Sequence, residues 1–301
     1  MGEKNFLELA VKAKNLFLYD VAIKYLEKAA ELKNSEAMYL LGDIYYEGNI
    51  FIEKLIKPEE IVPTTDYARA FDFYKKSADG GYSPAFNMLG LMYFLGIGTE
   101  VNITESKKYF QCALESEKIA AGKGDAFAIE SLGNIYENYR AVCAFNGDND
   151  EAENFQALSV MNYEWAFHLL KEMAFSEEVS RSDSDKAILH IADLYRSGNG
   201  VAMSNKDSVL YLVMLTNVCE DDKTKILAYK KIATIYEMSE DYEQQVEYLK
   251  QAAALGDFIS MRELWRIYEL GKVVEKNLLE SQKWLKKSEE LQKKFFEDIS
   301  S

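Results

Sequence analysis

Proline is nearly absent, with three in 301 residues. Proline breaks helix interiors, so its scarcity points to an almost wholly helical chain. Histidine is scarcer still, with only His168 and His190, which leaves little material for general-base or zinc chemistry. The three cysteines, Cys112, Cys143 and Cys219, lie far apart in expected helices, without metal or redox spacing. They read as buried, reduced thiols, not as a disulfide framework. The longest apolar run, Val209 to Leu215, is too short to cross a bilayer. The first ten residues are charged and lack the apolar centre of a signal peptide, so a cytoplasmic location is expected. Positive charge is also short: 35 Lys and Arg face 50 Asp and Glu, a net charge of −15. That argues against nucleic acid or an anionic membrane as partner. No Gly-x-Ser-x-Gly, phosphate-binding loop or His-Glu-x-x-His occurs, so neither enzyme chemistry nor a cofactor or metal is expected.

What is present is a recurring helix. In Ala85…Leu89-Gly90…Tyr93, spacings of three and four return to one face, and Gly96 and Gly98 follow as stop signals. The pattern recurs at Ala37…Leu41-Gly42…Tyr45, Ala128…Leu132-Gly133…Tyr136 and Ala187…Ile191-Ala192…Tyr195. It appears again at Ala228…Ile232-Ala233…Tyr236 and, degraded, at Ser260…Leu264-Trp265…Tyr268. A second helix type alternates with it: Tyr25-Leu26…Ala29-Ala30, Phe73-Tyr74…Ser77-Ala78, Tyr109-Phe110…Ala113 and Tyr248-Leu249…Ala252-Ala253. Small residues on the first helix let a neighbouring backbone come close, and its tyrosine ring covers the remaining gap. On the second, large residues followed by small ones about four later let one helix nest into the next. The spacing predicts an all-α solenoid of about seven antiparallel helix pairs, one array over residues 1–301.

Successive alanines of the first helix stand 48, 43, 59 and 41 residues apart, and Ser260 follows Ala228 by 32. A bare pair needs a little over 30 residues, so the excess is read as insertions near 49–65 and 145–155. Shorter acidic linkers are expected at 176–185 and 220–222. Asp66 and Asn102 read as starts of helices. A capping helix is expected at about 277–297. Asp148-Asn-Asp150-Glu151-Ala-Glu153 is superficially like a calcium loop, but lacks its glycine and its closing glutamate.

With these residues laid out, the chain resembles the Sel1-like repeat family, a relative of the tetratricopeptide repeats. Gly96-Ile-Gly98-Thr-Glu-Val101 and Gly198-Asn-Gly200-Val201 match the family's turn. Ala78-Asp-Gly80-Gly81 and Ala253-Ala-Leu-Gly256-Asp257 match its link between repeats. The resemblance implies a right-handed α-α superhelix that serves as an adaptor in protein assemblies. Secreted members with regularly spaced cysteine pairs differ from this chain, which lacks those pairs.

The resemblance also implies that the first helix of each pair lines a concave groove. Residues two, six and nine after each Ala point away from the packing stripe. They are Tyr39, Asp43, Tyr46; Asn87, Leu91, Phe94; and Glu130, Asn134, Glu137 in the N-terminal half. The C-terminal half supplies Leu189, Asp193, Arg196; Lys230, Thr234, Glu237; and Arg262, Arg266, Glu269. Tyr46, Leu91 and Phe94 are read as an apolar anchor, and the Arg262–Arg266 end as the place for an acidic group. The expectation is a non-catalytic scaffold binding a peptide or protein helix in that groove. Two alternatives stand beside it: an acidic inhibitor or immunity-type partner that blocks a basic protein, and an enzyme, which would need two perturbed titratable groups in one pocket.

Overall fold

The structure, a computed structural model, describes residues 3–48 and 65–300. Among the described residues there are fourteen helices and no strand. The first seven are α1 (Glu3–Asn15), α2 (Tyr19–Glu31), α3 (Ser35–Glu47), α4 (Tyr67–Asp79), α5 (Ser83–Leu95), α6 (Ile103–Ala121) and α7 (Ala126–Asn146). The others are α8 (Asn149–Phe175), α9 (Arg181–Ser197), α10 (Asn205–Val218), α11 (Asp222–Met238), α12 (Tyr242–Ala254), α13 (Phe258–Leu270) and α14 (Leu278–Ser300). None is long and apolar enough to cross a membrane. They gather into two compact units. One runs from α1 into α8 as far as Leu169; the other takes α8 from Leu170 onward, α9–α14 and Asn15–Leu18.

Within the first unit each helix from α2 to α7 packs on the next, and α5 also touches α7. Within the second, α9 to α14 pack in the same serial way, and α9 touches α11. The starts follow local chemistry. Asp66 accepts from Arg69 N–H at 3.0 Å and Asn102 from Glu105 N–H at 3.1 Å, so both cap helices as their types predict. Gly98 has φ +71°, and a Cβ there would run into the Tyr67 carbonyl. Only glycine meets both demands.

The packing rule is visible pair by pair. A Cβ at Gly42 would lie 2.6 Å from the Tyr74 ring, at Gly90 2.9 Å from Phe110, and at Gly133 2.8 Å from Tyr163. Each ring is buried, and full burial of such a side chain contributes roughly 1.5–3 kcal/mol. Four residues before two of these rings stands a serine on the same helix face. Ser106 Oγ donates to the Gly90 carbonyl at 2.7 Å, and Ser159 Oγ to the Gly133 carbonyl at 2.9 Å. Ser208 repeats the bond to the Ala192 carbonyl at 2.7 Å. In that pair the small residue is Ala192, and the side chain four after the serine is Leu212, which is buried. Ala233 and Leu249 form the same combination inside the α11–α14 core, beside Trp265 and Trp284. Where the first helix offers glycine the second brings a ring; where it offers alanine the second brings leucine.

A second contact recurs one turn further along. Tyr45 stacks on Phe73 at 5.6 Å, Tyr93 on Tyr109 at 5.6 Å, Tyr195 on Tyr211 at 5.6 Å and Tyr236 on Tyr248 at 5.7 Å between ring centroids. In these four pairs the tyrosine closing the first-helix motif meets the large residue that stands on the second helix; in the α7–α8 pair Tyr136 meets Phe155 instead, at 5.7 Å.

The expected insertion at 145–155 is corrected. Only Gly147 and Asp148 separate α7 from α8, and the surplus residues lengthen α6, α7 and α8 to 19, 21 and 27 residues. Apolar periodicity continues through Tyr139, Val142 and Cys143, all buried. Phe155 packs on Tyr139 at 4.5 Å, so helix extension buries more than a loop would. The linker expected at 176–185 is shorter, because Ser180 caps α9 and Arg181 is already helical. Cys219 lies just past α10 as its cap residue. The last helix starts with Asn277 accepting from Glu280 N–H at 3.1 Å and runs to Ser300. The insertion expected at 49–65 falls almost wholly outside the described residues.

This complementarity is testable by a double-mutant cycle. Gly90→Ala alone should destabilise by about 1–3 kcal/mol, since the buried Phe110 ring has nowhere to move. In a Phe110→Leu background the same change should cost at least ~1 kcal/mol less. Urea unfolding of the four proteins measures both values, and strictly additive costs would refute the pairing.

Candidate functional site

Three first-type helices of the first unit, with the end of a second-type helix, enclose a cleft of about 310 Å³. Tyr39 of α3 forms one side; Ser83, Pro84, Asn87 and Met88 of α5 form another. Ser131, Asn134, Ile135 and Asn138 of α7 close it, and Glu117 reaches in from α6. The four α7 positions follow the three-and-four spacing of one helix face. Of the residues expected in the groove, Tyr39, Asn87 and Asn134 are brought together here. The sequence reading missed Ser83, Glu117, Ser131 and Asn138. Glu117 is present only because α6 runs about one and a half turns beyond the thirteen residues of α4. The signal is the 43-residue spacing from Ala85 to Ala128, for which the sequence reading places no insertion.

The polar atoms of the cleft divide by commitment. Asn134 is structural: its Oδ1 accepts the Tyr163 hydroxyl at 2.9 Å, and its Nδ2 donates to the Glu130 carbonyl at 3.2 Å. Asn138 Nδ2 donates to Asn87 Oδ1 at 3.2 Å, bridging α7 to α5. Ser83 Oγ donates to Glu117 Oε1 at 2.6 Å, one helical turn before Asn87. Tyr39 sits between the rings of Tyr74 and Tyr82, each at 5.3 Å. Burial first, then the Asp43 charge, pushes the Tyr39 hydroxyl well above its ordinary range, so it stays neutral.

Asp43 lies behind the cleft. The Tyr74 hydroxyl donates to its Oδ1 at 2.8 Å. Burial raises its pKa to about 6, partly opposed by that bond and by Lys14, while Glu47 adds to the rise. Asp43 and Asn134 are therefore equivalent: each follows the packing glycine and accepts the hydroxyl of the tyrosine over it. Between Gly90 and Phe110 the ring carries no hydroxyl, and the corresponding residue is Leu91. Its apolar character thus matches a ring that needs no acceptor.

The other expected groove residues lie elsewhere. Tyr46 packs edge-on against Tyr67 at 5.4 Å and Phe94 against Phe145 at 5.4 Å. With Leu91 they line no part of the cleft, so they do not form its anchor. In the second unit Arg262 is the main correction. It is 0% exposed and lies against Phe258 at 5.1 Å and Trp265 at 5.4 Å. These three share the buried stripe of α13, and the guanidinium stacks along its own helix instead of facing outward. Leu189 is buried likewise. Lys231 holds both Asp193 oxygens at 2.8 Å, and Arg196 approaches Asp193 at 3.9 Å. Lys230 meets Asp257 at 3.6 Å and Arg266 meets Glu269 at 2.8 Å. Of the two cations expected to receive an acidic group, Arg266 is already held by a carboxylate and Arg262 is buried. Glu263 of α13 is pushed up to about 7, chiefly by burial, with Lys230 opposing.

Cys143, Asp148 and Glu151 bring ligand-type atoms within 4.8 Å of one another. The Lys107 ammonium already binds Asp148 at 2.6 Å and Glu151 at 3.1 Å, in the place a metal ion would take. The thiol, raised to about 12 by burial and the neighbouring carboxylates, donates to Glu151 at 3.2 Å. This is an ion-pair cluster joining α6 to the α7–α8 turn.

The Sel1 repeat family model matches residues 18–34, 35–82, 83–117, 236–257 and 266–292. The chain is similar to the crystal structure of a Sel1 repeat protein from Oxalobacter formigenes, at 24% identity over 94% of this chain and 99% of that one, with a TM-score of 0.37. It is also similar to c5321, a protective antigen present in uropathogenic Escherichia coli strains that displays an SLR fold. That match has 20% identity over 95% of this chain and 76% of that one, with a TM-score of 0.29. No curated protein matches the chain. The stretch from 118 to 235, outside the matched segments, carries the same small-residue packing at Gly133 and Ala192.

The Asp43 environment sets a pH dependence. Its folded value, about 6, exceeds the ordinary aspartate value near 4. Between those values the folded state binds the extra proton, so stability falls as pH rises through the window. Asp43→Asn keeps an acceptor for Tyr74 and cannot ionise. Relative to wild type it should gain stability between pH 4 and pH 7, measured by urea unfolding at both. A carbon-13 titration of Asp43 with its midpoint near 4 would remove the premise.

Proposed function

On the premise that the chain belongs to the Sel1-repeat family, we propose that it is a non-catalytic scaffold holding a short extended segment of a partner protein in the α3–α5–α7 cleft. Sel1-repeat proteins are generally protein-interaction scaffolds. The observation that carries the finer reading is the Asn87–Asn138 bridge. Two carboxamides joined by one hydrogen bond leave an NH₂ and a carbonyl uncommitted, whichever way the pair is turned. That is the complement of one peptide unit, which offers a C=O and an N–H. The remaining lining suits the same occupant: Met88, Ile135 and Pro84 give apolar contact, and Ser131 and the Tyr39 hydroxyl give adaptable polar ones. The volume lies at the small end of ligand sites, which favours a few residues of extended chain over a whole helix.

A phage-displayed random peptide library tests this. Selection should enrich sequences whose binding drops about tenfold or more in Asn87→Ala and in Asn138→Ala, the scale for losing hydrogen bonds in a desolvated site. Both variants should melt close to wild type. Failure to enrich any peptide, or enriched peptides indifferent to both changes, would overturn the cleft. An acidic blocker of a basic protein would show a strongly salt-dependent on-rate that ignores the asparagines.

A further inference from the structure

Resting on that reading, we infer that the cleft selects a segment bearing a lysine or arginine, whose cation is taken by Glu117 beside Ser83. Four observations converge. Glu117 is the one charged residue among those lining the cleft. Its carboxylate accepts a single neutral donor, Ser83 Oγ at 2.6 Å, on Oε1, and among the described residues no cation pairs with it. The adjacent cation is engaged elsewhere, with Lys118 Nζ over the Tyr136 ring at 5.9 Å. The carboxylate is also placed to work together with the peptide-binding amides. Ser83 and Asn87 are four residues apart on α5, so the carboxylate lies about one turn, ~5.4 Å, along the helix from the amide bridge. A peptide unit held by Asn87 and Asn138 would therefore have its neighbouring long side chain within reach of Glu117.

The chemistry also excludes competitors. An acidic side chain would meet Glu117, with no cation on the lining to balance the two. An apolar side chain of similar length would cover the carboxylate without replacing its water, and burying an unpaired charge is costly. A lysine or arginine restores the bonds that the displaced water made, as a charge-assisted pair. The chain's net charge of −15 would draw such segments toward it at low salt.

The test is a positional-scanning nonapeptide library with the central residue fixed in turn as Lys, Arg, norleucine, Gln or Glu, and all other positions randomised. Binding is measured by fluorescence anisotropy to wild type, Glu117→Gln, Glu117→Lys and Asn87→Ala. Wild type should prefer the Lys and Arg pools over norleucine and Gln by about tenfold, with Glu weakest, the range for a hydrogen-bonded ion pair. In Glu117→Gln, whose amide oxygen still accepts from Ser83, the ratio of Lys to norleucine should fall close to one. In Glu117→Lys the Glu pool should overtake the Lys pool. Binding that depends on Asn87 but shows no basic preference in wild type would overturn the inference and leave the cleft standing. A basic preference that survives Glu117→Gln would do the same. Binding indifferent to Asn87→Ala, or no binding of any pool, would overturn the cleft and the inference together.

Discussion

The constraint on which the rest depends is a glycine lying under an aromatic ring. At Gly42, Gly90 and Gly133 a Cβ would stand closer than 3.0 Å to the partner's ring atoms. The helix separation in these pairs is therefore set by one missing carbon. The glycine carbonyl already accepts the N–H four residues on in its own helix. Ser106 and Ser159 donate to its second lone pair at two of the three sites, tying the partner helix to it. Ring, glycine and serine form a single device. Substituting one without the others leaves a clash or a void, or loses that cross-helix bond.

The device reaches out to the groove. When the ring is tyrosine, its hydroxyl emerges at the residue following the glycine, and a polar acceptor must stand there. Asp43 and Asn134 fill that position, and Leu91 fills it where the ring is Phe110. Part of the polarity on the outward face is thus a by-product of packing. What remains for recognition is what packing does not consume: the free halves of the Asn87–Asn138 bridge, and Glu117. A census of polar residues on that face would weigh Asn134 and Asn87 equally. Their hydrogen bonds separate them.

This explains how much of the molecule the sequence made legible. The packing stripe could be read because it depends on period and side-chain size, both of which are printed in the residues. The lengthening of α6, α7 and α8 could not, because spacing counts residues without saying whether they coil or loop. Without those extra turns Glu117 could not be placed on the cleft. Arg262 failed for another reason. A cationic residue type argues for an exposed position, yet between Phe258 and Trp265 its planar guanidinium stacks as an aromatic neighbour would, and the stripe keeps it inside. Residue type decided wrongly where geometry supplied a rarer partner.

The two units obey one packing rule and differ in what they leave uncommitted. In the second, Lys231, Arg196, Lys230 and Arg266 face Asp193, Asp257 and Glu269. Pairs of this kind add little stability; two join α11 to α9 and to the start of α13, and two lie within α9 and α13. In the first unit the cleft carboxylate has a hydroxyl partner and, among the described residues, no cation. An ion pair already made inside a protein must be broken, at a cost, before either member can bind a ligand. A carboxylate held only by a serine needs no such exchange. It is oriented by Ser83 alone, an arrangement that suits recognition of a cation better than structural support. The same small-residue packing can therefore be repeated along a chain while one pair, lengthened by a turn or two, carries polar groups that the packing leaves uncommitted.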